Sequence, residues 1–100
     1  MPSEKGYPTG EDSWLLYIVE CRDGSLYTGI TNDLDRRLKQ HNDGNASRYT
    51  RSRRPVVLRY QEPCADRSTA LIRELAVKLL SRREKETLID TASPGQPTRT

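Results

Sequence analysis

Residues 14–30, WLLYIVECRDGSLYTGI, decide the fold. Trp14 to Cys21 is nearly continuous apolar sequence rich in strand formers, which reads as a central strand covered on both faces. Arg22-Asp23-Gly24 interrupts it, and Ser25 to Ile30 reads as a second strand. Asp-Gly between two such runs is a strong hairpin signal. Loop length then sets the register. A two-residue turn would put Tyr17 and Tyr27 on opposite faces of the sheet. A three-residue loop, with Gly24 left-handed and a bulge, pairs Cys21 with Ser25. Tyr17, Val19, Tyr27 and Gly29 then share one face. Arg-Asp-Gly suits two right-handed residues followed by a left-handed one, so the three-residue loop is expected.

Downstream, Asn32 is the expected N-cap of a helix with Asp33 and Asp35 in its positive first turn, running to about Asn42 and stopping near Gly44. Residues 43–54 read as a polar, arginine-rich loop, and Val56 to Gln61 as a third strand. Asp66 or Ser68 is expected to cap a long helix ending near Leu80, with Ile72, Leu75, Ala76 and Leu79 as its apolar stripe. Ser81 and Glu84 form a capping-box pattern, so a separate short helix carrying Leu88 and Ile89 is expected. The order β-β-α-β-α-α predicts a small α/β structure: a three-stranded mixed or antiparallel sheet flanked by helices. Residues 1–12 and 91–100 hold Pro, Gly and polar residues without period and read as tails. One domain over 13–90 is expected.

The chain has 100 residues, 33% hydrophobic and 31% charged, with a formal net charge of +3. That composition is lean for a core yet patterned enough to fold. The charge is uneven: from Arg36 to Arg59 there are eight Lys or Arg and one acidic residue, Asp43. Such a segment favours a polyanion, although a solvated charged face is the plainer reading. The two cysteines, Cys21 and Cys64, have no Cys or His at ligand spacing, so no zinc site is expected. No apolar run suits a signal peptide or a membrane span, and the expected compartment is the cytoplasm.

Helical periodicity singles out two positions. With Leu34 and Leu38 marking the buried direction, Arg37 lies about 60° and His41 about 20° from Leu34. Both therefore face the sheet, whereas Arg36, Lys39 and Gln40 point away. A guanidinium there must pair with a carboxylate or line a cleft. Gly29 ends the second strand where the helix approaches, which lets backbone or ligand come close. In the loop, Arg48, Arg51, Arg53 and Arg54 suit phosphate contacts and Tyr49 suits stacking on a base. Glu74 lies away from Ile72 and Leu79, four residues before Lys78. Taken alone it is a surface helix residue.

Leu15-Leu16-Tyr17, Tyr27-Thr28-Gly29 ten residues later, Arg37 and His41 on one helix and Glu74 on another together resemble the GIY-YIG nuclease domain over about residues 13–90. Arg48-Tyr49-Thr50-Arg51-Ser52-Arg53 and the run from Lys78 to Lys85 are similar to its small stand-alone bacterial members. The resemblance implies a three-stranded sheet with flanking helices. It also implies hydrolysis of DNA or RNA phosphodiesters, DNA ahead of RNA, with Mg²⁺ or Mn²⁺, in a setting such as repair or recombination. It makes Tyr17 and Tyr27 the motif tyrosines, with Gly29 closing the second motif. Arg37 becomes the phosphate-contacting arginine, His41 a catalytic position and Glu74 the metal ligand. Arg36 and the loop residues Arg48, Tyr49, Arg51, Arg53 and Arg54 become nucleic-acid contacts. Leu15 stands in place of the first motif's glycine, and Ile30 stands where some members carry a lysine. The expected chemistry has Tyr17 taking a proton from water, with Tyr27 or His41 as alternates. A non-catalytic nucleic-acid-binding module and a nuclease subunit whose partner supplies specificity are the rival readings. No membrane role is expected.

Overall fold

The computed structural model describes residues 13–91. The tails expected at 1–12 and 91–100 lie outside the described residues, except Thr91, which ends the last helix. The elements are β1 (Trp14–Glu20), β2 (Leu26–Thr31), α1 (Leu34–Asp43), α2 (Arg48–Arg51), β3 (Val57–Cys64), α3 (Arg67–Lys78) and α4 (Arg82–Thr91). The strands form one wholly antiparallel sheet in the order β2-β1-β3. No described helix is long and apolar enough to cross a membrane.

The hairpin has the three-residue loop. Cys21 N–H donates to the Ser25 carbonyl at 2.8 Å and Gly24 N–H to the Cys21 carbonyl at 2.8 Å, with Gly24 at φ +88°. Asp23 secures the turn by accepting from the Ser25 N–H at 3.0 Å and hydroxyl at 2.6 Å. The register that follows sets Tyr17 opposite Gly29 and Val19 opposite Tyr27.

As the central strand, β1 is buried on both faces. Leu16 and Ile18 pack with Tyr60, Val77 and Ile89 under α3 and α4, while Tyr17 and Val19 pack with Cys21, Val56, Leu34 and Leu38 under α1. Between β1 and β3 the pairing slips at Ile18/Val19, where Ile18 faces Tyr60 and Val19 faces Leu58. Arg59 is thus the bulged residue, and it reaches Glu20 and Glu86.

Three expectations are corrected. The N-cap of α1 is Asp33, not Asn32; its carboxylate accepts from Arg36 N–H at 3.1 Å, and its own N–H is held by Thr31 Oγ1 at 3.0 Å. The arginine-rich loop contains a helical turn, α2, because the Ser47 hydroxyl caps Thr50 N–H at 3.1 Å. The largest correction is the phase of α3. Ile72, Leu75 and Leu79 are 69%, 62% and 86% exposed, whereas Ala70 and Val77 are fully buried. The sheet-facing side of α3 carries two charges as well as small apolar groups. Arg73 grips Glu62 of β3 in two hydrogen bonds of 2.6 and 3.2 Å, and Glu74 shares that inner side. Hydrophobic periodicity follows the aliphatic row and so marks the wrong face. Caps at the other helix ends agree with expectation: Asp66 caps α3, Gly44 at φ +87° ends α1, and Ser81 and Glu84 bond reciprocally before α4.

Two outcomes follow for stability. Val77→Ala lowers unfolding free energy by about 2 kcal/mol, the cost of removing two buried methyl-sized groups and leaving a hole. Leu79→Gln changes it by less than about 0.5 kcal/mol. Urea unfolding measures both, and equal costs would mean that the assigned phase of α3 is wrong. Gly29→Ala is the second case. A Cβ there would lie 2.5 Å from Tyr17 Oη and 2.7 Å from Cζ, inside a buried ring that has nowhere to retreat. It is expected to cost about 1–3 kcal/mol and to shift the Tyr17 ring resonances, whereas Gly29→Ala with unchanged stability and spectrum would contradict the cross-strand contact.

Candidate active site

Strand alternation brings Tyr17, Tyr27 and Gly29 to one face, and α1 crosses that face on Leu34 and Leu38. The last turn of α1 then drives His41 into the gap, where it is 1% exposed. Its Nε2 lies 2.8 Å from the Tyr17 hydroxyl and its Nδ1 lies 2.8 Å from Thr50 Oγ1. The imidazole also meets both tyrosines edge-on, with ring centroids 5.7 Å from Tyr17 and 5.3 Å from Tyr27. Behind it, Thr50 is fully buried and its hydroxyl lies 2.9 Å from Ser47 Oγ.

The electrostatics follow from this burial. Desolvation, then the charge of Arg37, pushes the His41 pKa down to about 4, so the ring is neutral at pH 7. Desolvation also holds the Tyr17 phenol far above its ordinary range; Tyr27 and Glu74 push it the same way, and Arg37 opposes them. Tyr17 is therefore a neutral hydroxyl here. Arg37 lowers its pKa, but burial outweighs that help. Arg37 itself is half-buried and donates to Gln40 Oε1 at 3.1 Å. Among the described residues it makes no ion pair with a carboxylate. Glu74, on α3, is 16% exposed at its side chain, lies 3.4 Å from Lys78 Nζ and is near enough to act electrostatically on Tyr17.

The basic segment divides into two groups. Tyr49 stacks on Tyr27 with centroids 6.0 Å apart, and the Arg53 guanidinium lies over the Tyr49 ring at 3.9 Å from its centroid. Tyr49 remains 38% exposed beside these contacts. Arg53 also bonds Asp23 at 3.0 Å and the Tyr49 carbonyl at 2.8 Å. Arg54 donates to the carbonyls of Arg51 at 2.9 Å and Asn42 at 3.4 Å. These two arginines shape the loop. Arg48 and Arg51 are exposed, and Arg36 is exposed beside Asp33 at 3.8 Å.

The structure thus joins Tyr17, Tyr27 and His41 by contact, and sets Arg37 and Glu74 within electrostatic reach of the Tyr17 hydroxyl. Thr50 and Ser47 belong to the same chain of contacts and were not singled out from sequence. The available signal was Ser47 three residues before Thr50, a capping pattern that makes a helical turn inside the loop.

A chelating cage is not the arrangement here: among the described residues, no three His, Cys, Asp or Glu side chains converge on a point. Both cysteines are free. The donor available is the single Glu74 carboxylate, which fits a hard cation that keeps most of its waters.

The family model described as the GIY-YIG catalytic domain matches residues 13–87. A UPF0213 protein of Desulfotalea psychrophila is 51% identical over 88 residues, covering 87% of this chain and 80% of the relative. One from Halobacterium salinarum is 48% identical, covering 73% of this chain and 95% of the relative. The solution NMR structure of a UPF0213 protein from Bacillus halodurans is similar with a TM-score of 0.55 and 42% identity, covering 87% of this chain and 90% of that one. An NMR structure of an E. faecalis protein has a TM-score of 0.58 and 37% identity, covering 84% of this chain and 90% of that one. With the tyrosine–histidine site on the matched segment and this degree of identity, the chain belongs to the GIY-YIG family of nuclease-type domains.

Proposed function

We propose that this chain is a metal-dependent endonuclease that hydrolyses phosphodiester bonds, with DNA ahead of RNA as substrate. The observation that carries the reading is the environment of the Tyr17 hydroxyl. It lies 2.8 Å from His41 Nε2, against Gly29, and feels Arg37 and Glu74 with opposite sign. Attack of water on a phosphodiester needs a proton acceptor, neutralisation of the phosphate and stabilisation of the leaving oxygen. Arg37 is the cation suited to the scissile phosphate, because no described carboxylate competes for it.

The phenol and the imidazole act as one base. Water gives its proton to Tyr17 Oη while the Tyr17 proton passes to His41 Nε2. Alone, each group is poorly suited: the phenol is too reluctant to ionise, and the imidazole touches the cleft only through the phenol. A bound phosphate offsets the Arg37 charge that holds His41 down, so substrate itself raises the basicity of the ring. Glu74 would hold the divalent cation, Mg²⁺ or Mn²⁺, which would supply positive charge to stabilise the leaving oxygen. The exposed Arg36, Arg48 and Arg51 suit backbone phosphates, which would make binding strongly salt-dependent. A surface this small leaves room for a protein partner that selects the substrate.

The test is cleavage of labelled single-stranded, duplex and branched DNA and RNA with Mg²⁺ or Mn²⁺. Tyr17→Phe, Arg37→Ala and Glu74→Gln are each expected to lower the rate by about 10²-fold or more, and a chelator to abolish it. Variants that cut as fast as the parent would overturn the reading, as would binding without cutting on every substrate.

Acid stability is a second measurement. His41 titrates near 4 when folded and at its ordinary 6.5 when unfolded. Because the folded value is the lower, the unfolded chain binds the proton first as pH falls. Stability tied to this residue is complete above about 6.5 and drains away towards 4. Between pH 7 and pH 5 the loss is roughly 1–2 kcal/mol by urea unfolding. It should be missing in His41→Asn, and an unchanged slope in that variant would disprove the depressed imidazole.

A further inference from the structure

His41 can satisfy its two hydrogen bonds in either of two ways, and its surroundings favour one of them. In one arrangement Nδ1 carries the hydrogen and donates to Thr50 Oγ1, leaving Nε2 to accept from the Tyr17 hydroxyl. In the other, Thr50 donates to Nδ1, and Nε2–H donates to the Tyr17 oxygen. The second strands the phenolic hydrogen. Tyr17 is 2% exposed, and among the described residues its hydroxyl has no hydrogen-bond partner other than Nε2. Before substrate and its water arrive, a hydroxyl hydrogen without a protein acceptor disfavours its state by about tenfold or more. The first arrangement leaves only the Ser47 hydroxyl hydrogen to place, and Ser47 is half-exposed, so water takes it.

Thr50 is built to receive the Nδ1 proton. Its hydroxyl can donate onward to Ser47 Oγ at 2.9 Å or to the Ser47 carbonyl at 3.5 Å, which keeps a lone pair turned to His41 at 2.8 Å. The short helix carrying it is held from both ends. Ser47 caps it at 3.1 Å, and Arg54 binds the Arg51 carbonyl at 2.9 Å. Just beyond, Asn42 of α1 clamps Val56 through its N–H at 2.7 Å and its carbonyl at 3.2 Å. We propose that Thr50 is a positioning residue: with Ser47 behind it, its hydroxyl accepts the His41 Nδ1 proton and so keeps Nε2 unprotonated and aimed at the Tyr17 hydroxyl. The consequence for rate rests on the hydrolytic reading above; the tautomer itself does not.

His41 is the single histidine of the chain, so one ¹⁵N-histidine sample reports its ring nitrogens without assignment. At pH 7 the parent protein is expected to show a protonated Nδ1 and a bare Nε2. Thr50→Val keeps the shape but removes the acceptor, and is expected to move the ring towards the Nε2–H form by about tenfold in population. Thr50→Ser restores the parent spectrum. In the cleavage assay Thr50→Val lowers kcat about tenfold with little change in KM, and Thr50→Ser recovers it. A parent ring protonated at Nε2, or a folded Thr50→Val with an unchanged tautomer, overturns the proposal even if the protein cuts nucleic acid. The expected tautomers in a protein that cuts nothing support the role of Thr50 and overturn the hydrolytic reading instead.

Discussion

The contact on which the rest depends is the Tyr17 ring lying across Gly29. The three-residue hairpin loop sets that pair opposite each other, and a side chain at 29 would collide with the phenol. Once the ring lies there, its hydroxyl points under α1, where the last helical turn supplies His41. Shift the register by one residue and Tyr27 and Gly29 leave the face that Tyr17 occupies, so the phenol loses the space through which it reaches α1. The polar chain from Tyr17 through His41 and Thr50 to Ser47 then has no beginning. A backbone choice at Gly24 therefore decides where an oxygen sits several residues away.

Burial then determines the protonation states. The same desolvation raises the phenol and depresses the imidazole, so both are neutral before any ligand arrives. Among the described residues, Arg37 from α1 and Glu74 from α3 are the charged side chains that act on Tyr17. Their effects on Tyr17 oppose each other. A neutral pair between two opposed charges responds strongly to an incoming anion, because low dielectric amplifies each change. The site is poised to respond to substrate and is not charged in advance.

Much of this arrangement was legible in the residues themselves. Arg-Asp-Gly specified the loop, the loop specified the register, and Leu34 with Leu38 oriented Arg37 and His41. The phase of α3 was not legible, because its inner face trades aliphatic bulk for Arg73, which binds Glu62, and for Glu74. A rule that buries the greasiest row must choose Ile72, Leu75 and Leu79. Glu74 was reachable only by family resemblance for the same reason. Tyr49 and Arg53 were legible from composition alone, and their contacts with Tyr27 and Asp23 were not visible there. That pairing spans distant parts of the chain and leaves no local trace. Thr50 was hidden by a four-residue helix too short for any periodicity to reveal.

The C-terminal helix returns to where the chain began. Arg82 donates to the carbonyl of Gly24 in the hairpin turn, 58 residues earlier, and Ile89 seals the layer over Leu16 and Ile18. During synthesis the hairpin therefore leaves the ribosome long before its outer surface can be closed. Until residue 89 is delivered, that surface of the central strand stays wet and adhesive. The growing polypeptide carries that face of the central strand unroofed until α3 and α4 follow it.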